Sequence, residues 1–459
     1  MALKQTLKSN GDAKVETKLK VKPKVVSKTT ATASPTNAPK SLKRGLALAG
    51  GGPLGAMYEI GVLLALDEAL EGLDFNKFDI YVGVSAGSFI TAGLANNITP
   101  NEIFKLFIEN RAADKGIAKR GGGKETLRPE LFLTPAWNEY FSRAKTLPPL
   151  LAKALLRTLS HPFSGSLLDK FAGLTRALPT GLFDNTSIRL FLKKTFSEPG
   201  RSDDFRQLKP QLFSVATDLD TGESVAFGGV GFEHVPISVA VQASAALPGL
   251  FPPVEIDGHY YVDGALKKTL NASVAMQEGA KFVLAVNPLV PFDANYAKRR
   301  GKQEMEKLVE GGLPTVLSQT FRALIHSRMH VSLQKYQTMY EDCDVVLFEP
   351  NKDDAKMFFT NLFSYSTRKQ VCEHAYQATR RDLLKRRFEL EPIFTKYGIT
   401  INFDVLKDQS RTLDSRLFKR GVQIPKRQRL DEATLDLADT LAELDGFIAG
   451  RKRAAKTSV

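Results

Sequence analysis

Gly45–Leu66, GLALAGGGPLGAMYEIGVLLAL, sets a short apolar run before three consecutive glycines and a long one after them. The first run is strand-length and reads as a buried strand over Gly45–Ala49. Pro53 suits the first turn of a helix, where its missing N–H costs nothing, and a helix is predicted from about Pro53 to Leu70. Phe78–Asn97, FDIYVGVSAGSFITAGLANN, repeats the arrangement, with a strand over Asp79–Val84, a turn at Ser85 and a helix beyond. Two strand–glycine turn–helix units in succession predict an α/β fold. Its central sheet is mostly parallel and covered by helices, as a three-layer α/β/α arrangement.

Strand signals continue at Gln211–Phe227, with a Thr221-Gly222 turn. Pro252–Gly264, PPVEIDGHYYVDG, reads as a hairpin closed by Asp257-Gly258. Buried strands follow at Lys281–Pro288 and Asp344–Pro350, then a helix from about Thr367 to Lys385. Residues Thr99–Thr180 break the pattern. They hold a glycine-rich loop and an apolar, basic, helix-prone stretch with six Lys or Arg against Asp169 between Phe141 and Arg176. That stretch reads either as a lid facing a lipid surface or as a helical insertion packed on the core.

Of the 459 residues, 43% are hydrophobic and 25% charged, which suits a soluble globular protein with a sizeable core. The net charge of +14 is uneven, for Met1–Arg44 carries ten lysines and one arginine against Asp12 and Glu16. Residues 1–43 therefore read as a disordered basic arm, either a solubilising tail or a lipid- or nucleic-acid-binding segment. The arm has no apolar core of a secretory signal. No run reaches the ~18 apolar residues of a membrane span. Cys343 and Cys372 form no disulfide framework and have no metal-ligand spacing around them, which fits a reducing compartment. A cytoplasmic protein with peripheral membrane contact is expected, without a nucleic-acid partner. Residues 386–459 read as a basic, helical extension. There Leu437, Leu441, Leu444 and Ile448 share one helix face, docked on its own domain or on a partner.

Three short stretches carry chemistry. Gly50-Gly51-Gly52-Pro53-Leu54-Gly55 matches G-x-G-x-x-G, but the next strand ends in Ser85 rather than the acid a dinucleotide ribose needs. The loop also lacks the Lys-Ser or Lys-Thr of a P-loop. Gly83-Val84-Ser85-Ala86-Gly87 is G-x-S-x-G between a strand and a helix, the context in which a serine is raised on a sharp turn as a nucleophile. Its base is either a histidine or a carboxylate. His161, His234, His259, His326, His330 and His374 are available, none in a recognisable catalytic loop. Asp263, in Asp263-Gly264-Ala265, ends a strand and can act as a base if burial lifts its pKa; the alternative is a second Asp-Gly turn.

Together, the G-G-G-x-x-G, the G-x-S-x-G about thirty residues on and the late D-G-A resemble the patatin-like phospholipases. Ala216–Glu223 and Ala243–Val254 resemble that family's later blocks. The likeness covers roughly residues 44–385 and leaves out the arm and the extension. It implies a serine lipid acyl hydrolase, with Ser85 as nucleophile, Asp263 as base and an oxyanion hole at Gly50, Gly51 and Gly52. Gly55, Gly83, Gly87, Gly264 and Ala265 complete the motifs, and neither metal nor organic cofactor is implied. Leu54 departs from the Arg or Lys that the family commonly has there. The alternatives are a Ser-His-Asp esterase of the α/β-hydrolase type and an idle lipid- or nucleic-acid-binding protein.

Overall fold

The continuous apolar runs become strands buried on both faces. A computed structural model describes residues 42–108, 134–160, 177–299, 308–359 and 365–415. Its strands, in chain order, are β1 (Arg44–Leu48), β2 (Leu70–Glu71), β3 (Ile80–Val84), β4 (Gln211–Asp218) and β5 (Ser224–Phe227). Then come β6 (Val254–Ile256), β7 (His259–Asp263), β8 (Phe282–Val286), β9 (Asp344–Phe348) and β10 (Thr400–Ile401). The main sheet runs β6-β7-β4-β3-β1-β8-β9, with β5 also against β4. The strands from β4 through β9 in that order are parallel, while β5 and β7 pair antiparallel with β4, and β6 antiparallel with β7.

The helices used below are α1 (Gly52–Ala69), α2 (Ala86–Ala95), α3 (Pro100–Phe107), α4 (Trp137–Ser160), α5 (Thr186–Phe196) and α6 (Ile237–Ser244). They continue with α7 (Ala272–Gln277), α8 (Gly312–Met339), α9 (Tyr365–Lys385), α10 (Arg387–Lys396) and α11 (Phe403–Lys407). Side chains alternate along each strand and so feed two cores. Leu46, Leu48, Tyr81, Leu284 and Phe348 join α1, α6, α9 and α10 on one face. Ala47, Ala49, Val82, Val283 and Ala285 join α7 and the inner side of α8 on the other. Three layers result, and burial on both faces explains why these strands read as unbroken apolar runs.

Helix α1 is buried from Leu54 to Leu66, between the sheet and α9. A Cβ on Gly61 would run into the Cys372 carbonyl oxygen, so the two backbones touch there. Cys372 is a buried core thiol and Cys343 a half-buried one, and neither is in a disulfide. Among the described residues no helix is long and apolar enough to cross a membrane.

The expected elements match to within about two residues at each end, apart from the Thr-Gly stretch, which resolves into the β4–β5 pair. Asp257 (φ 52) and Gly258 (φ 82) make the two-residue β6–β7 turn. The boundary expected at 385/386 falls inside the core instead. Leu390, Phe394, Tyr397, Ile401 and Leu406 are buried with α1 and α9, and β10 pairs with β2. The chain returns after Lys385 because the end of α1 and the strand after it leave apolar surface that this segment covers. Residues 1–41, 109–133, 161–176 and the stretch with Leu437, Leu441, Leu444 and Ile448 lie outside the described residues.

Candidate active site

Parallel strands deliver their C-terminal ends to one edge, where ligands of open α/β sheets bind. The glycine loop leaves β1 there, Ser85 leaves β3 and Asn287-Pro288 leaves β8. Register brings the aspartate to the same place. Val84 lies beside Val215 on β4, and the next residue, Ala216, lies beside Asp263 on β7. Asp263 ends an antiparallel strand, and the turn after it makes a short 3-10 helix, with Ala265 N–H donating to its Oδ1 at 2.8 Å.

Ser85 sits at the start of α2 with φ 52 and ψ −119, a strained conformation for a residue with a side chain. Its turn is tight enough that a Cβ on Gly83 would overlap Ser88 and Thr91, and one on Gly87 would overlap the Leu48 carbonyl. The Ser85 N–H donates to Ser244 Oγ at 2.8 Å, and Ser244 Oγ donates to the Val215 carbonyl at 2.6 Å. Thus α6 pins the turn to β4. The turn just after α6 holds the partner strand, since the Asp263 N–H donates to the Ala246 carbonyl at 3.0 Å.

Ser85 and Asp263 are both buried at this edge of the sheet. Burial pushes the Asp263 carboxyl up to about 6, opposed by the Ser85 side chain and by the hydrogen bond from the Ala265 N–H. The carboxylate is thus more basic than usual and still ionised at neutral pH. Gly50 lies against both partners. A Cβ there would stand 2.9 Å from Ala265 Cβ and 3.2 Å from Ser85 Cβ. A Cβ on Gly51 would stand 2.6 Å from Pro288 Cγ, and Gly52 has φ +60. Among the described residues none accepts a hydrogen bond from the N–H groups of Gly50, Gly51 or Gly52. These donors, with the N-terminal field of α1, suit a negative oxygen.

The five histidines among the described residues have partners other than Ser85 and Asp263. His234 pairs with Asp257, His259 with Asp218, His374 with Asp354, and His326 with His330. His161 lies outside the described residues. Asp218 serves its loop, accepting from the Asp220 and Thr221 N–H groups. Leu54, which stands in place of a cation, is buried in the apolar core.

Three residues escape the sequence reading. Ser244 has no local motif to mark it. Pro288 walls the glycine loop from a neighbouring strand. Glu59, two turns into α1, is wholly buried, and neither carboxyl oxygen has a hydrogen-bond partner; the nearby Ala49 N–H is given to Val286 O. Burial raises its carboxyl well above the ordinary range, opposed by that Ala49 N–H. An acid inside an otherwise apolar helix is the signal for it.

The family model for patatin-like phospholipases matches residues 46–276, half of the chain. Uncharacterized NTE family proteins of Mycobacterium tuberculosis and Mycobacterium bovis are 35% identical over 81 residues, 18% of this chain and 21% of theirs. The match therefore spans about a fifth of those relatives' length. Among solved structures, VipD from Legionella pneumophila is 15% identical, over 75% of this chain and 67% of its own, with TM-score 0.32. Human GIVD cytosolic phospholipase A2, in complex with methyl gamma-linolenyl fluorophosphonate, is 15% identical over 58% of this chain and 45% of its own, with TM-score 0.24.

Proposed function

Because the chain belongs to the patatin-like phospholipase family, we propose that it cleaves acyl esters of phospholipids or related acyl lipids with a Ser85–Asp263 dyad. Ser85 Oγ attacks the ester carbonyl while Asp263 takes its proton. The N–H groups of Gly50, Gly51 and Gly52 hold the oxyanion of the tetrahedral intermediate. Asp263 returns the proton to the leaving alcohol, and water, deprotonated by the same carboxylate, releases the fatty acid from the acyl-serine. The observation that carries this reading is that β3, β4 and β7 bring Ser85, on its strained turn, and Asp263, a buried carboxyl raised to about 6, to the same edge of the sheet. A base poised near neutrality both accepts and returns a proton readily.

Access to a lipid surface is assigned to α4 and its support. Trp137, Phe141, Leu147 and Leu151 of α4 are exposed, as are Leu178, Leu182 and Leu247. This apolar group hangs on the loop beside the site. Ala136 N–H and Tyr140 Oη donate to the Leu182 carbonyl, and Leu182 N–H donates to the Gly249 carbonyl. Arg143 and Lys145 on the same helix suit anionic headgroups.

The test is fatty-acid release from mixed phospholipid vesicles by wild type, Ser85→Ala and Asp263→Asn. Release that disappears in both variants supports the dyad. Release surviving Asp263→Asn at wild-type rate moves the base elsewhere, and no release by wild type removes phospholipids as substrates.

A further inference from the structure

Two histidines that this chemistry leaves unused meet a carboxylate at the same edge of the sheet. His326 and His330 lie one turn apart on α8, with their Nε2 atoms 2.9 Å apart and ring centroids 4.2 Å apart. His326 is buried and His330 exposed. Glu349 directly follows β9. One donor atom from each of the three lies within 4.8 Å of the other two. We propose that His326, His330 and Glu349 bind a single divalent transition-metal cation of the zinc class.

Histidines at i and i+4 on a helix aim two ring nitrogens at one point, and a carboxylate from another element completes a three-ligand set. Three protein ligands leave a fourth position for water. Two nitrogens and one oxygen favour zinc-class ions over calcium or magnesium, which prefer all-oxygen shells. The outer contacts are also in place. Asn287 Nδ2 donates to Glu349 Oε2 at 3.2 Å, and the Leu289 N–H donates to Asn287 Oδ1 at 3.1 Å. Such partners fix the orientation of a ligand carboxylate.

The charges around Glu349 allow a cation. Lys352 and Arg386 both act on its carboxylate, but Arg386 is already engaged by Asp382 and Glu389. A cavity of about 500 Å³, lined by Glu349, Lys352, Asp382, Arg386 and Tyr296, opens beside it as an entry path. The bound ion would tie α8 to the end of β9. Through Asn287 it abuts Pro288, which packs on Gly51, so the ion braces the wall of the glycine loop without touching the reacting atoms. A second cluster, Asp218, Asp220 and His259, also has atoms within 4.8 Å of one another. There Asp218 Oδ1 is already spent on two backbone N–H groups.

The test uses the full chain without a polyhistidine tag, stripped with EDTA and titrated with ZnCl₂ by calorimetry, then with CoCl₂ by visible absorption. Wild type is expected to bind one ion per chain, with the absorption of four-coordinate Co²⁺. His330→Ala and Glu349→Gln, both at sites open enough to fold, are expected to lose at least about 100-fold in affinity. That is the upper end of what losing an outer-shell partner costs, and a ligand matters more. His259→Ala is expected to bind like wild type. Circular dichroism of each variant establishes that it is folded. Absence of stoichiometric binding by wild type, or unchanged binding by both folded variants, overturns the site. So does binding lost only in His259→Ala.

Discussion

Asp263→Asn should destroy activity and stabilise the protein in the same stroke. The carboxyl is raised from an ordinary 3.8 to about 6, chiefly by burial. Each tenfold gain in proton affinity corresponds to about 1.4 kcal/mol. Ionised Asp263 therefore costs the folded state about 3 kcal/mol, of which asparagine is free. Asparagine also keeps the local geometry, because its Oδ1 can accept the Ala265 N–H as Asp263 Oδ1 does at 2.8 Å.

The sign follows from proton linkage. At pH values below 3.8 both folded and unfolded wild type hold the proton, and the variant has no advantage. Between there and about 6 the unfolded chain releases its proton while the folded chain keeps it. Wild type then falls behind the variant as pH rises. Above about 6 both states are ionised and the gap is constant. In a chain of this size it amounts to several degrees in melting temperature at most. Thermal melts of both proteins from about pH 4 to pH 8, beside fatty-acid release at the same pH values, measure both halves. Wild-type release should rise through about pH 6 and level off, and the variant should lose about 10²–10⁴ in rate as its base is removed. A variant that is less stable than wild type at neutral pH, or a melting gap that ignores pH, would refute the reasoning.

Other substitutions test the remaining parts. Gly50→Ala puts a methyl 2.9 Å from Ala265 Cβ and 3.2 Å from Ser85 Cβ. It should lower kcat by about 10²–10³ with a smaller change in KM, read by steady-state vesicle kinetics. Gly87→Ala replaces a helix glycine, normally a gain of up to about 1 kcal/mol, but its methyl meets the Leu48 carbonyl. A lower melting temperature is expected, and a raised one would show that the turn has room to yield. Trp137→Ala with Phe141→Ala removes two exposed rings, each worth about 1.5–3 kcal/mol if buried in lipid. Vesicle co-sedimentation should fall by about tenfold or more while the folded protein's melting temperature is kept. Glu59→Gln should gain stability over wild type as pH rises through and above the ordinary carboxylate range. Burial makes the folded wild-type carboxyl hold its proton to higher pH than the unfolded chain does, and melts at pH values on either side of that range measure the gap.

What is legible in the chain is what short-range physics writes into it. β1, β3 and β8 can be read because strands buried on both faces are apolar along almost their whole length, β9 because its Val-Val-Leu-Phe run is strand-length, and the β6–β7 turn because Asp257 and Gly258 tolerate positive φ. Ser85 is legible for the same reason: a serine on a strained turn needs glycines on either side, and Gly83 and Gly87 leave no room for a Cβ. The pairing of Asp263 with Ser85 is not local. It depends on β3, β4 and β7 being neighbours, an order set by contacts between residues far apart in the chain, and only the likeness to a known family supplies it. Ser244 is invisible, because a serine that caps nothing in its own helix looks like any other until the Ser85 N–H arrives. The return of the chain after Lys385 escapes because its pairing with β2 is only two residues long, too short for any periodicity. Glu59 reads as a charge that breaks an apolar run, whereas burial raises its carboxyl and so disfavours that charge. The glycine loop thus stands between a helix and a strand that each carry a buried carboxyl without an ion partner, and in both cases burial raises its proton affinity.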